Sequence, residues 1–145
     1  MRCNQAGIIL IKHFEGCVLV AYKDQGGVWT IGWGHTGPEV HEGLVWSQEQ
    51  ADAMLLQDLW RKAERPVNFM VSADLNENQF SALCALVYNI GSGAFGMSTL
   101  LRDINSGDFQ DAPYQIKRWH HVHGVDNDGL RNRCAAEVAL WGTPC

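Results

Sequence analysis

Two carboxylates near the N-terminus, Glu15 and Asp24, have the placement that acid–base chemistry needs. Glu15 falls in the last turn of a predicted short helix, between Phe14 and Gly16. The negative end of the helix dipole disfavours an ionised carboxylate there, and burial under Phe14 adds to that effect. Both favour the protonated form that a general acid requires. Asp24 falls at a predicted hairpin turn, where solvent and backbone N–H groups favour the ionised form. Two carboxyls in such contrasting surroundings are the pair that glycoside hydrolysis uses. Each also has a plain local use, because an Asp at a hairpin turn commonly hydrogen-bonds its own backbone.

The elements that must hold these residues can be read along the chain. Asn4 is placed to cap a first helix whose apolar face is Ile8, Leu10, Ile11 and Phe14, and Gly16 is placed to end it. Val18 to Tyr22 and Val28 to Trp33 read as two strands around an Asp24-Gln25-Gly26-Gly27 turn. The glycines at 32, 34 and 37 with Pro38 then break regularity. From Ser47 onward the pattern is helical. Ser47 with Gln50, and Asn76 with Gln79, have capping-box spacing. The helix after Asn76 is apolar nearly all round and so is expected at the centre of the core, ending at Gly91. Further helices are predicted around Thr99 to Ile104, Phe109 to Trp119, and Leu130 to Trp141. The last should turn Leu130, Cys134, Val138 and Trp141 inward. Pro113 must kink its helix or mark the first turn. The fold class is α+β, with a small hairpin lobe beside a helical bundle.

Composition narrows the function classes. The chain has 145 residues and a mass of 16.2 kDa, of which 46% are hydrophobic and 19% charged, so it can bury a core without metal or disulfide staples. Its apolar stretches, such as Gly7 to Ile11 and Ala82 to Val87, are far short of the ~20 residues of a membrane helix. No membrane insertion and no signal peptide are expected. The net charge of −5 argues against sequence-independent nucleic-acid binding. That charge lies wholly between Glu39 and Glu77, where eight acids meet three bases, and reads as a solvated helix face. The five cysteines contain no CxxC pair, which argues against zinc and for a reducing cytoplasm at synthesis. Cys84 and Cys134 read as buried thiols.

The residues from Phe14 to Thr36 also carry a family resemblance. Phe14-Glu15-Gly16, Ala21-Tyr22-Lys23-Asp24 and Trp29-Thr30-Ile31-Gly32-Trp33-Gly34-His35-Thr36 resemble the signature of the phage-type lysozymes, glycoside hydrolase family 24. The likeness continues through Leu75 to Leu83, Asn89-Ile90-Gly91, Ser98 to Arg102, Asn105, Gly107, Trp119, Gly124, Gly129-Leu130, Arg131, Arg133 and Glu137, and so covers essentially the whole chain. It implies one lysozyme-like catalytic domain over residues 1–145, with a hairpin lobe over about 13–46, a helical lobe from 1–12 and 47–145, and the active-site cleft between them. It also implies a bacteriolytic endolysin whose partner is bacterial peptidoglycan. The bond cleaved would be the β-1,4 link between N-acetylmuramic acid and N-acetylglucosamine. Glu15 would protonate the glycosidic oxygen, while Asp24 and Thr30 would hold a water or stabilise charge at the anomeric carbon. An inverting pair of carboxyls would stand roughly 6.5–9.5 Å apart, a retaining pair nearer 5 Å. Tyr88, Asn89 and Gly34 are the implied substrate contacts, and His35 with Asp58 the implied ion pair tying hairpin lobe to helix. A lytic transglycosylase acting on the same bond and a non-catalytic wall-binding module remain as alternatives.

The same resemblance implies a monomer that needs no cofactor and waits in the host cytoplasm until a holin opens the membrane, then acts on peptidoglycan in the periplasm. The sequence departs from the family at its C-terminal block. Where relatives often carry an Arg-Arg-Arg run, it has Arg131-Asn132-Arg133-Cys134, which leaves two cations to meet an anionic wall. His120, His121 and His123 alternate rather than converge, so no metal site is expected there. A Cys3–Cys17 link is conceivable but not expected.

Overall fold

The structure is a computed structural model and describes residues 1–122 and 125–145. Its first helix, α1 (Gln5–Glu15), starts where Asn4 accepts a hydrogen bond from the Gly7 amide and stops at Gly16, whose φ of 68° and N–H bond to the Lys12 carbonyl close the last turn. Three antiparallel strands follow in the order β1 (Val18–Lys23), β2 (Trp29–Gly32) and β3 (His35–Thr36). Register pairs Tyr22 with Thr30 and Thr30 with Thr36, so Thr30 sits at the middle of the sheet and is buried. The sequence reading had two strands. The third escapes it because Gly34 lets the chain turn back after only two intervening residues. An isolated bridge from Val20 to Val45 and two flanking backbone bonds stitch the outer side of β1 to the following loop.

The helical part opens with α2 (Gln48–Leu59). The Ser47–Gln50 capping box is formed in both directions, at 2.8 and 3.1 Å. The helix then passes through one π-helical turn (Trp60–Glu64) into α3 (Arg65–Met70), which carries Pro66 in its first turn. The sequence reading treated this stretch as one unbroken pattern. A single wide turn leaves the apolar spacing on either side nearly intact, so nothing local marks it. Next comes α4 (Glu77–Ile90), also with a full capping box, and every residue from Phe80 to Tyr88 is buried. It is the axis of the core. The helix α1, the π turn and the last helix pack around it.

The remainder is α5 (Ser92–Gly96), α6 (Thr99–Asn105), α7 (Ala112–Lys117), a short hairpin of β4 (His121–Val122) and β5 (Val125–Asp126), and α8 (Asp128–Trp141). Pro113 stands in the first turn of α7, which is why this helix begins at Ala112 and leaves Phe109 outside. The inward face of α8 differs from expectation. Cys134 and Trp141 are buried and Val138 packs against the core partly buried, but Leu130 does not join it, and Arg133 and Glu137 are buried on this face as well. Cys84 and Cys134 are buried thiols, and burial pushes the Cys134 thiol up to about 12. Cys3 and Cys17 are free thiols at opposite ends of α1. His123 and Gly124 lie outside the described residues.

Candidate active site

Glu15 is the last residue of α1, and its side chain keeps 22% exposure. Its surroundings are more polar than the helix end alone suggests. Arg133 of α8 donates from Nη1 to Glu15 Oε1 at 2.9 Å, and from Nη2 to the Ala85 carbonyl of α4 at 3.0 Å. The guanidinium is only 5% exposed and lies 6.0 Å from the Phe14 ring centroid. On the opposite side Gly34, at a φ of +84°, brings bare backbone against the carboxyl, where a Cβ would stand 2.5 Å from Glu15 Oε2. Helix, cation and glycine together leave the carboxyl little freedom.

Asp24 follows the end of β1. Its Oδ1 accepts from the Gly26 amide at 2.8 Å and from the Val28 amide at 2.9 Å, so it does serve its own turn. Its Oδ2 accepts nothing among the described residues and faces solvent. Thr30 donates from Oγ1 to the Val28 carbonyl at 3.0 Å. Tyr22, opposite Thr30, links the group electrostatically. Burial pushes its phenol above the ordinary value, and the charges of Glu15 and then Asp24 push it further.

The remaining anticipated residues fall into two places. Tyr88 is buried near the end of α4, and its hydroxyl donates to the Trp33 carbonyl at 3.2 Å, while Lys62 lies over its ring at 5.3 Å. Burial pushes this phenol well above its usual range. Asn89 beside it is exposed, and both line a cleft of about 410 Å³ with Arg61, Lys62 and Ser92. His35 lies on another cluster. Its Nδ1 is 2.6 Å from Asp58 Oδ2 and its Nε2 is 2.5 Å from Glu39 Oε1, while Arg61 reaches Asp58 Oδ1 at 3.2 Å. His35 and Asp58 are both buried. The bond from His35 holds the Glu39 carboxyl below its usual range. A concavity of about 570 Å³ opens at this cluster.

Among the described residues one carboxylate group is close enough to hold a cation: Asp103, Asp108 and Asp111, with ligand atoms within 4.8 Å of one another. The neighbouring Asp111 raises the Asp103 carboxyl, while the hydrogen bond donated by Gln115, and after it the proximity of Asp103, lowers Asp111.

The sequence profile of the phage lysozyme family matches residues 12–137. This chain belongs to the phage lysozyme family. It is a glycoside hydrolase, with the mixed fold that its residues announced. An endolysin of Acyrthosiphon pisum secondary endosymbiont phage 1 is 39% identical over 97% of this lysozyme and 98% of the relative. A SAR-endolysin of Enterobacteria phage P21 is 40% identical over 88% of this lysozyme and 78% of the relative. Among solved structures, the muramidase domain of SpmX from Asticaccaulis excentricus superposes with a TM-score of 0.90 at 37% identity, covering 99% of each chain.

The residue that sequence reasoning misassigned in this lysozyme is Arg133. It was read as a cation for the wall, yet it is buried against Glu15. The signal was present, since Arg133 and Glu137 stand four apart on the helix face that also carries Cys134 and Trp141.

Proposed function

We propose that this chain is a peptidoglycan-degrading muramidase. It hydrolyses the β-1,4 bond between N-acetylmuramic acid and N-acetylglucosamine and so lyses the host cell. Glu15 gives its proton to the glycosidic oxygen as the bond to the anomeric carbon breaks. Asp24 and Thr30 hold the water that completes the reaction, with the unused Oδ2 of Asp24 as its acceptor. Asn89, Tyr88 and Gly34 line the path of the sugar chain, and the pair His35–Asp58 braces the sheet against α2.

The observation that carries this reading is the Glu15 carboxyl, held through one oxygen by Arg133 while the bare backbone of Gly34 closes on the other. Such fixing is what a proton donor gains from a rigid scaffold. The name muramidase borne by a solved relative over 99% of this chain adds support.

Mass spectrometry of digested sacculi tests the chemistry. Reducing muramic acid ends are expected, and 1,6-anhydro ends would show a transglycosylase instead. Glu15→Gln should bind sacculi while losing at least ~100-fold in rate. Full activity in that variant would remove Glu15 from the role of acid, and wall binding by a wild-type chain without turnover would leave a binding module.

The reading extends to the cell. The chain acts as a monomer and reaches the wall from the host cytoplasm once a holin opens the membrane. No described helix is long and apolar enough to cross a membrane. Fractionation of host cells that express the chain with and without a holin tests this, lysis without one being the contrary result.

A further inference from the structure

Glu137 is the one acid in the core with no hydrogen bond to either oxygen among the described residues. It is fully buried on α8, one turn beyond Arg133, with Oε2 3.5 Å from Arg133 Nε, and that Nε also lacks a hydrogen-bond partner. The same guanidinium holds Glu15 through Nη1. Two carboxyls therefore meet one cation, at different nitrogens. With both ionised the array carries an excess negative charge in a largely buried place, which is costly.

We propose that Glu137 is a positioning residue that competes with Glu15 for Arg133, so that its charge state sets how firmly Arg133 holds the Glu15 carboxyl. This rests on the reading of Glu15 as the proton donor. When Glu137 is neutral, Arg133 belongs to Glu15 alone. When Glu137 is charged, it takes a share of the guanidinium, and less of that positive charge is left to hold Glu15 in its ionised form.

The surroundings admit this competition. Burial raises Glu137 to about 7, with Arg133 pulling the other way. The titratable and charged groups facing the array are Glu15 from α1, Tyr88 from α4, and Arg133 and Cys134 of α8 itself. Lys117 from α7, His120 and Arg131 share a cleft with Cys134. Arg133 is the cation in direct contact with both acids.

Two measurements test the proposal. In Glu137→Gln the side-chain shape is kept and the competing charge is gone. The alkaline limb of the pH–kcat profile should move to lower pH by about half a unit or more, with kcat near pH 7 down about threefold and KM nearly unchanged. Glu137→Asp, which keeps the charge, should restore the limb toward its original position. A limb that stays in place in Glu137→Gln overturns the proposal, because a packing role alone would not hold it there by charge. The second readout needs no turnover. The side-chain carboxyl ¹³C signal of Glu137 should titrate at lower pH in Glu15→Gln than in the parent, since Arg133 is released to it. An unmoved midpoint overturns the competition whatever the activity of that variant, and so separates this failure from a failure of Glu15 as the acid.

Discussion

Gly34 makes room for Glu15. A Cβ at position 34 would stand 2.5 Å from Glu15 Oε2, and the backbone there has a φ of +84°. Two separate constraints, conformation and contact, thus fall on one residue. Gly34→Ala should lose about 1 kcal/mol of stability from the left-handed backbone. It should lose far more in rate, because the methyl group forces the carboxyl aside. A displacement of about 1 Å can cost on the order of 100-fold in rate. Thermal melts beside initial rates on sacculi check this, and a variant that melts lower while keeping its rate would show that the contact does not matter.

The cluster at His35 invites a double-mutant cycle. His35 and Asp58 are both buried, and their side chains meet at 2.6 Å, so removing one leaves the other without its partner. Asp58→Ala or His35→Ala alone should cost about 3 kcal/mol in urea unfolding. The double variant should cost clearly less than the sum, with a coupling above about 1 kcal/mol. Additive losses would mean that Glu39 and Arg61 hold the cluster without that bond.

Glu137 also predicts a pH dependence of stability. Its carboxyl is raised from 4.5 to about 7 in the folded chain, so the folded state binds the proton more tightly than the unfolded one. That contribution is fully present below about pH 4.5 and is lost as pH rises through about 7. Its size is on the order of 3 kcal/mol. Glu137→Gln should therefore gain stability over the parent as pH rises from 4.5 to 8, seen as diverging urea midpoints. Parallel midpoints across that range would contradict it.

Local signals made much of this fold legible. The caps at Asn4, Ser47 and Asn76, and the stop at Gly16, are short-range hydrogen-bonding features, and each formed where its residues stand. The all-round apolar run from Phe80 to Tyr88 could only be central. The sequence reading of Glu15 lacked its most important neighbour. Arg133 lies 118 positions away, and a charged residue on a helix reads as exposed until packing against another helix is known. The π turn and the two-residue strand β3 went unseen because neither alters the periodicity around it. Asp24 shows the reverse. Its local use and its proposed chemical use coexist, because the turn occupies one oxygen and leaves the other.

Both ends of α1 are tied to other elements. At its start, Cys3 donates to Glu64 at 2.7 Å and Asn4 bonds Ser81 and Asn78, so the helix is moored to the π turn and to α4. At its end, Arg133 ties Glu15 to α8 and α4. Trp33, beside Gly34, is pinned by Tyr88 and by Asp52. Asp24, by contrast, sits at a hairpin tip bonded to its own loop. Of the two carboxyls, Glu15 is thus tied to the helical core, while Asp24 rests on its own turn. The proposed pair therefore joins one jaw that the core fixes to another that only a four-residue turn fixes.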